Sequence, residues 1–191
     1  TKDAIEKLQE FINVYPNSQY VSEANVLVKE LDFKLEKKEL DLHELIGKVA
    51  RSFELIITER KGQLNLHLDA RKHMIVADET HLNNIVYNLL DNAVSFAPAD
   101  APIEVMVDND GNCVTVTVCD TGPGIPEDSR EKVFQRFHSV RPDDEAFGNH
   151  SGLGLAIART IAQAHGGTLV AEARADGAQG ACLRFQLPAA E

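Results

Sequence analysis

Basic residues are scarce in this 191-residue chain: 19 Lys and Arg stand against 30 Asp and Glu, a formal charge of −11. Affinity for nucleic acid rests on clustered Lys and Arg against phosphates, so this balance argues against a nucleic-acid partner. Long apolar runs are also missing. None approaches the ~20 residues that span a bilayer, and no signal-peptide pattern opens the chain, so no membrane contact by this segment is expected. Cysteine is limited to Cys113, Cys119 and Cys182, in no metal-ligand spacing. The three read as reduced packing residues of strands. His67, His73, His81 and His138 form no spaced metal cluster along the sequence and read as surface or loop residues. The length leaves room for one domain of about 150 residues and an appendage.

What the chain does contain is a helical run with two asparagines in it. Leu82, Ile85, Val86, Leu89 and Leu90 recur at helical spacing and make an apolar face. Asn88 and Asn92 lie four residues apart on one turn-to-turn line, so both carboxamides leave the same face. Neutral oxygens on a rigid helix suit a hard divalent cation otherwise held by water and phosphate. Alone, the pair is equally a network of helix polar residues.

Three further motifs follow in order. Val114, Val116 and Val118 alternate with Thr115 and Thr117 in a strand ending at Asp120-Thr121-Gly122-Pro123-Gly124-Ile125-Pro126. Asp120 shares the parity of the valines and is expected to point inward. An inward carboxylate needs a donor, such as the exocyclic amine of adenine, and Gly122 and Gly124 let backbone approach a flat ring. By itself this is also an ordinary Asp-Gly turn. Next, Ser151-Gly152-Leu153-Gly154-Leu155 opens an apolar helix to His165, exposing backbone N–H groups suited to an anion. Some fifteen irregular polar residues before it, Gln135 to His150, read as a lid. His165-Gly166-Gly167 then ends the helix.

NLLDNA, DTGPGIP, KVFQRF, SGLGLAIA, HGG and LRFQLP, in that order, resemble the catalytic ATP-binding domain of bacterial sensor histidine kinases over residues 41–190. The resemblance implies ATP and Mg2+ as ligands. It matches Asn88 and Asn92 to the Mg2+-associated asparagines, and Asp91 to an acidic position that assists proton transfer. Asp120 matches the adenine-reading aspartate, with Gly122, Gly124 and Ile125 forming its wall. Phe134 and Phe137 match an aromatic pair rooting the lid, with Arg136 between them reaching a phosphate or the partner histidine. Ser151, Gly152, Leu153, Gly154 and Leu155 match the phosphate-side glycine box. Related ATPases of the same superfamily place a glutamate where this chain has Asn88. An amide cannot accept a proton from water, so Asn88 favours transfer to an outside nucleophile over hydrolysis.

The pattern has gaps. Many relatives carry Lys-Tyr or Lys-Phe after the asparagine helix, where this chain has Ser95-Phe96. Phe96 still packs on a nucleotide, but the cation is absent, and Arg136, Arg141 or His150 is the expected stand-in. Asn149-His150-Ser151 replaces glycines before Gly152, which stiffens the lid hinge. Two alternatives to the kinase reading follow: a catalytically degenerate nucleotide-binding switch, or an interaction scaffold.

The expected fold is a two-layer α/β sandwich of the Bergerat type: a mixed, mostly antiparallel sheet with helices on one face. A helix runs from the Asp41 cap to about Thr58, strands lie near Leu64–Asp69 and Met74–Ala77, and the asparagine helix spans about Glu79 to Phe96. Ile103–Asp108 and Cys113–Asp120 make a hairpin across Asn109–Asn112. A short helix near Glu127–Phe134, the Ser151–His165 helix and strands Thr168–Arg174 and Ala181–Leu187 complete it. Residues 1–40 read as an αα-hairpin around Tyr15-Pro16-Asn17-Ser18, locally similar to one tetratricopeptide-like repeat of a β-barrel assembly lipoprotein. They contain no histidine, and His43 lacks the following Arg-Thr-Pro of an acceptor site. Lysine thins out after Lys72, which reads as a mosaic of segments of different origin. The resemblance implies a cytoplasmic, monomeric segment of a membrane-anchored kinase. It would serve a histidine-bearing dimerisation domain and a response regulator.

Overall fold

The computed structural model describes residues 35–135 and 153–190. The expected N-terminal hairpin, Arg136, Phe137, Arg141, His150, Ser151 and Gly152 lie outside them. Residues Lys37–Glu191 form one compact unit. Its elements are β1 (Lys38–Asp41), α1 (Leu42–Glu59), β2 (Gln63–Leu68), β3 (Met74–Ala77), α2 (Glu79–Phe96), β4 (Pro102–Asp110), β5 (Cys113–Cys119), α3 (Gly154–Ala164), β6 (Thr168–Ala173) and β7 (Ala181–Pro188).

The main sheet has the order β2-β4-β5-β7-β6. Only β2–β4 is parallel; β4–β5, β5–β7 and β6–β7 are antiparallel. One face of this sheet carries Val105, Val107, Val114, Val116, Leu183, Phe185 and Leu169, all buried, and the three helices cover it. The expected mixed sandwich is therefore the observed one. Strand β1 is an addition: Lys38–Leu40 had been grouped with the hairpin, but they pair antiparallel with β3 in a separate two-stranded sheet.

Helix α1 begins where the Asp41 side chain accepts the N–H groups of His43 (2.9 Å) and Glu44 (3.2 Å). Helix α2 begins under Asp78, whose carboxylate accepts the His81 N–H at 3.2 Å. It ends before Pro98, which disfavours helical backbone at Ala97. Leu82, Ile85, Val86, Leu89 and Leu90 of α2 are fully buried, and each contributes roughly 1.5–3 kcal/mol of burial free energy. Between them they fix the rotation of the helix that carries the asparagines.

Long-range bonds anchor both ends of α2. At its C-terminus the Arg60 guanidinium donates to the carbonyls of Val94 and Ala97, the latter at 2.6 Å. A cation there satisfies orphan carbonyls and opposes the negative end of the helix dipole. At its N-terminus, the Asp78 backbone N–H donates to Nε2 of His165 at 3.1 Å. Nδ1 of the same ring donates to the Ile161 carbonyl at 2.9 Å. One nitrogen accepts and the other donates, so the ring is neutral.

Three expectations need correction. Cys119 and Cys182, opposite each other on β5 and β7, form a disulfide, leaving Cys113 as the free thiol. Spacing along the chain gave no sign of it, because the strand register that pairs them is a tertiary fact. The stretch near Glu127–Phe134 is two short 3-10 turns, Glu127–Ser129 and Lys132–Phe134, rather than one helix. The hairpin turn is also tighter than read, with β4 and β5 pairing out to Asp110 and Cys113.

Burial pushes the His165 pKa down. A depressed folded pKa means stability is full above the unfolded value, about 6.5, and is lost as pH falls below it. The melting temperature of the chain is expected to fall between about pH 7 and about pH 5, and His165→Asn should flatten that slope. Part of the slope should survive, since burial also lowers the His43 pKa. An identical slope in the variant would remove His165 from the account.

Candidate functional site

The site assembles where β5 ends, α2 ends and α3 begins. Asp120 follows β5 with the inward parity of Val114, Val116 and Val118 and is only 4% exposed. Its backbone N–H continues the ladder to the Ala181 carbonyl at 2.9 Å. Its Oδ1 accepts the N–H of Gly122 at 2.8 Å and of Ala181 at 3.4 Å. Both bonds fall on one carboxylate oxygen, which leaves the other for an incoming donor. Burial raises the Asp120 pKa, against the opposing pull of the two backbone N–H groups and of Arg174.

Glycines around Asp120 make room that no other residue leaves. A Cβ at Gly122 would lie 2.5 Å from the Phe96 carbonyl oxygen, so the turn after β5 packs directly on the last residue of α2. Gly180 has φ +136°, and a Cβ there would stand 2.0 Å from the Asp120 carbonyl oxygen. Phe96, Gly122, Asp120 and Gly180 are thus locked into one wall. Between them sits Thr121, whose buried Oγ1 has no hydrogen-bond partner among the described residues.

The second wall joins the asparagines to the glycine motif. Asn88 Nδ2 donates to the Asn84 carbonyl at 2.9 Å, which fixes the orientation of its carboxamide. Its Oδ1 would lie 2.7 Å from a Cβ at Gly154, so the close approach of α3 to α2 requires glycine there. Asn92 and Asp91 follow on α2, both half-buried. Helix α3 starts at Leu153, and among the described residues no side chain caps its first turn. At the root of the segment 136–152, Phe134 is buried under the Arg159 guanidinium, 4.7 Å from its ring centre, and Arg159 also pairs with Glu131 at 2.8 Å. Ile125 is half-buried beside the Asp120 turn, its carbonyl accepting from Arg130 Nε at 3.4 Å.

The structure brings Gly122 to Phe96 and Asp120, and Gly154 to Asn88, with Asn92 lying between Asn88 and Phe96 on α2. Gly180, Thr121, Arg174 and Arg159 were not anticipated. Arg174 donates to the Asp120 carbonyl at 3.2 Å while paired with Asp176 at 2.6 Å, bracing the turn from behind. Thr121 lies inside the Asp120–Pro126 motif but was given no role there, Arg159 stands in no recognisable pattern, and only the strand register brings Gly180 and Arg174 to Asp120.

An α/β sandwich with a buried carboxylate and glycine-shaped walls at one end belongs to a nucleotide-binding class. The chain is a member of the histidine kinase-, DNA gyrase B-, and HSP90-like ATPase family, whose pattern matches residues 77–191. It is 37% identical over 179 residues to the sensor protein ChvG of Rhizobium meliloti, covering 88% of this chain and 31% of that protein. The catalytic domain of histidine kinase ThkA superposes with a TM-score of 0.70 at 30% identity, covering 81% of this chain and 96% of that one. A structure of ThkA in complex with the response regulator TrrA matches with a TM-score of 0.70 at 29% identity, over 97% of this chain and 52% of that one. Full-length ShkA in complex with AMPPNP gives 0.73 at 25% identity, over 95% of this chain and 39% of that one. The chain spans less than a third of the length of the sensor proteins RprX, ChvG and KdpD that it matches.

A raised folded pKa means that the stability Asp120 lends below its unfolded pKa is lost as pH rises from there through the folded value, so its charge is a cost at neutral pH. Asp120→Asn keeps an oxygen for the Gly122 and Ala181 N–H groups and removes the buried charge. The ligand-free variant is therefore expected to be at least as stable as the parent at neutral pH by urea denaturation. A lower midpoint would show that the charge is compensated in full by its surroundings.

Proposed function

We propose that this chain binds Mg-ATP and transfers the γ-phosphoryl group to a histidine on a separate dimerisation domain, as the catalytic module of a two-component sensor kinase. The observation that carries the reading is the pairing of a buried, half-engaged Asp120 carboxylate with glycine walls that a nucleotide would fill. Asp120 Oδ2 accepts the adenine amine, with Thr121 Oγ1 as a second polar partner at the ring. Phe96, Gly122, Gly124 and Ile125 supply the wall. Asn88 Oδ1, already oriented by Asn84, and Asn92 one turn on would hold Mg2+, which supplies charge neutralisation on the phosphate oxygens. The first turn of α3, with Gly152, Leu153, Gly154, Leu155 and Ser151, receives the phosphates on backbone N–H groups.

The step itself is a displacement. An imidazole nitrogen of the partner domain attacks the γ-phosphorus and ADP leaves; Asp91 takes up the imidazole proton, and Arg136 meets the developing charge. Rate then comes from positioning and electrostatics rather than from a base acting on water. Asn88 supports this, since an amide cannot serve as that base. The response-regulator partner rests on the ThkA complex. No helix among the described residues is long and apolar enough to cross a membrane, in keeping with a cytoplasmic catalytic segment.

Ser95, in place of a phosphate-binding lysine, favours one second reading, a nucleotide-binding switch without transfer. Calorimetric titration with a non-hydrolysable ATP analogue and Mg2+ tests the pocket. Binding is expected in the parent, and Asn92→Ala should abolish most of its Mg2+ dependence. Asp120→Asn should lose roughly 1.5–3 kcal/mol, about ten- to a hundredfold in affinity. Unchanged affinity in Asp120→Asn would remove the adenine role. Binding without phosphoryl transfer to any supplied dimerisation domain would leave the switch.

A further inference from the structure

Three residues with no part in nucleotide chemistry are brought together by the β1–β3 pair. Asp41, His43 and His73 each offer one ligand atom, and these atoms lie within 4.8 Å of one another. Backbone pairing sets the placement. Asp41 stands opposite Met74, and the Leu42 N–H donates to the His73 carbonyl at 3.0 Å. Spacing along the sequence could not show this grouping, because His73 lies about thirty residues from Asp41 and His43 and meets them only through strand register.

Two of the three side chains commit one atom to the fold and present another to the cluster. Asp41 Oδ1 caps α1, leaving Oδ2 facing His73 Nε2 at 3.6 Å. His73 Nδ1 lies 3.3 Å from the Ala70 carbonyl. A proton donated there puts the free lone pair on Nε2, the arrangement by which an outer partner orients a metal-binding imidazole. The third, His43, has a buried Nε2 with no hydrogen-bond partner among the described residues, and its ring stacks on His73 with centroids 4.4 Å apart. A simple Asp41–His73 ion pair does not account for this. At 3.6 Å that pair engages His73 alone and leaves the buried His43 nitrogen unanswered.

We propose that Asp41, His43 and His73 form a site for a borderline divalent transition ion of the Zn2+ class, with a fourth position open to water. Two imidazoles and one carboxylate are the donor set of such ions, whereas Mg2+ takes oxygen ligands. Drawing the ligand atoms in to the ~2.0–2.2 Å of Zn–N and Zn–O bonds asks for side-chain rotation, since the backbone already holds the three together. A bound ion would stitch β1 and the first turn of α1 to β3, and would stabilise the folded state by mass action.

The test is a ZnCl2 titration of the full chain in millimolar Mg2+, which occupies non-specific acidic sites. Melting temperature is read together with competition against a chromogenic zinc chelator. The parent is expected to bind one ion competitively and to melt higher with Zn2+. His73→Ala and His43→Gln should each weaken binding by more than ~10-fold, while His67→Ala, at an exposed histidine paired with Glu104, should change nothing. Asp41→Asn, which keeps an oxygen to cap α1, gives the same readout should a histidine variant fail to fold. No melting shift and no competition in the parent would overturn the proposal. So would affinity that survives the loss of His43 or His73.

Discussion

The buried carboxylate of Asp120 is the constraint around which the rest of this structure is arranged. A carboxylate at 4% exposure is costly unless it is bonded. Here it is only half satisfied, through one oxygen and two backbone N–H groups. Holding those N–H groups in place requires the turn after β5 to lie against both α2 and the start of β7. That is possible only because Gly122 and Gly180 have no side chain. The Cys119–Cys182 disulfide and Arg174 brace the same turn from the outer side of the sheet. The molecule therefore surrounds a destabilised group with rigid supports and leaves its second oxygen unfilled. That is the signature of a site awaiting a ligand donor rather than of a core being optimised for stability.

Helix α2 carries the other half of the chemistry, and its position is over-determined. Five fully buried aliphatic residues fix its rotation, Arg60 holds its last carbonyls, and His165 holds the backbone N–H of its cap. Asn88 is then locked by its own bond to Asn84, with its oxygen against Gly154. A carboxamide bound to an ion gains nothing from flexibility, because each misplaced ångström forfeits coordination geometry. Fixing the helix at both ends and along its length is what would make the proposed Mg2+ pair of Asn88 and Asn92 specific.

Much of this was legible in the sequence, for local reasons. The bounds of α2 coincide with Glu79–Phe96 because the apolar period, the Asp78 cap and Pro98 all act within the segment. The inward aim of Asp120 follows from strand parity, which survives any error in strand ends. The illegible parts share a different property. Strand β1 is Lys-Glu-Leu-Asp, a charged edge whose only evidence is a partner more than thirty residues away. The disulfide, Gly180 at Asp120, Arg60 at the end of α2 and the Asp41–His43–His73 cluster all depend on which strands and helices become neighbours. Composition and periodicity carry no such information.

That division also explains why the proposed phosphoryl-transfer site and the proposed metal site differ in character. The nucleotide site is built from ordered motifs, each with its own local signature, so a chain can lose one element, as at Ser95, and remain recognisable. The cluster at β1–β3 has no motif at all. It exists because an N-cap aspartate, the second residue of a helix and the residue before a strand are brought together by one backbone pairing. An N-cap carboxylate near a positive helix end is an unpromising cation ligand by itself. It becomes a serviceable one here because the cap consumes Oδ1 and the dipole's N–H groups together. Oδ2 is left with its charge directed at two imidazoles instead of at the helix.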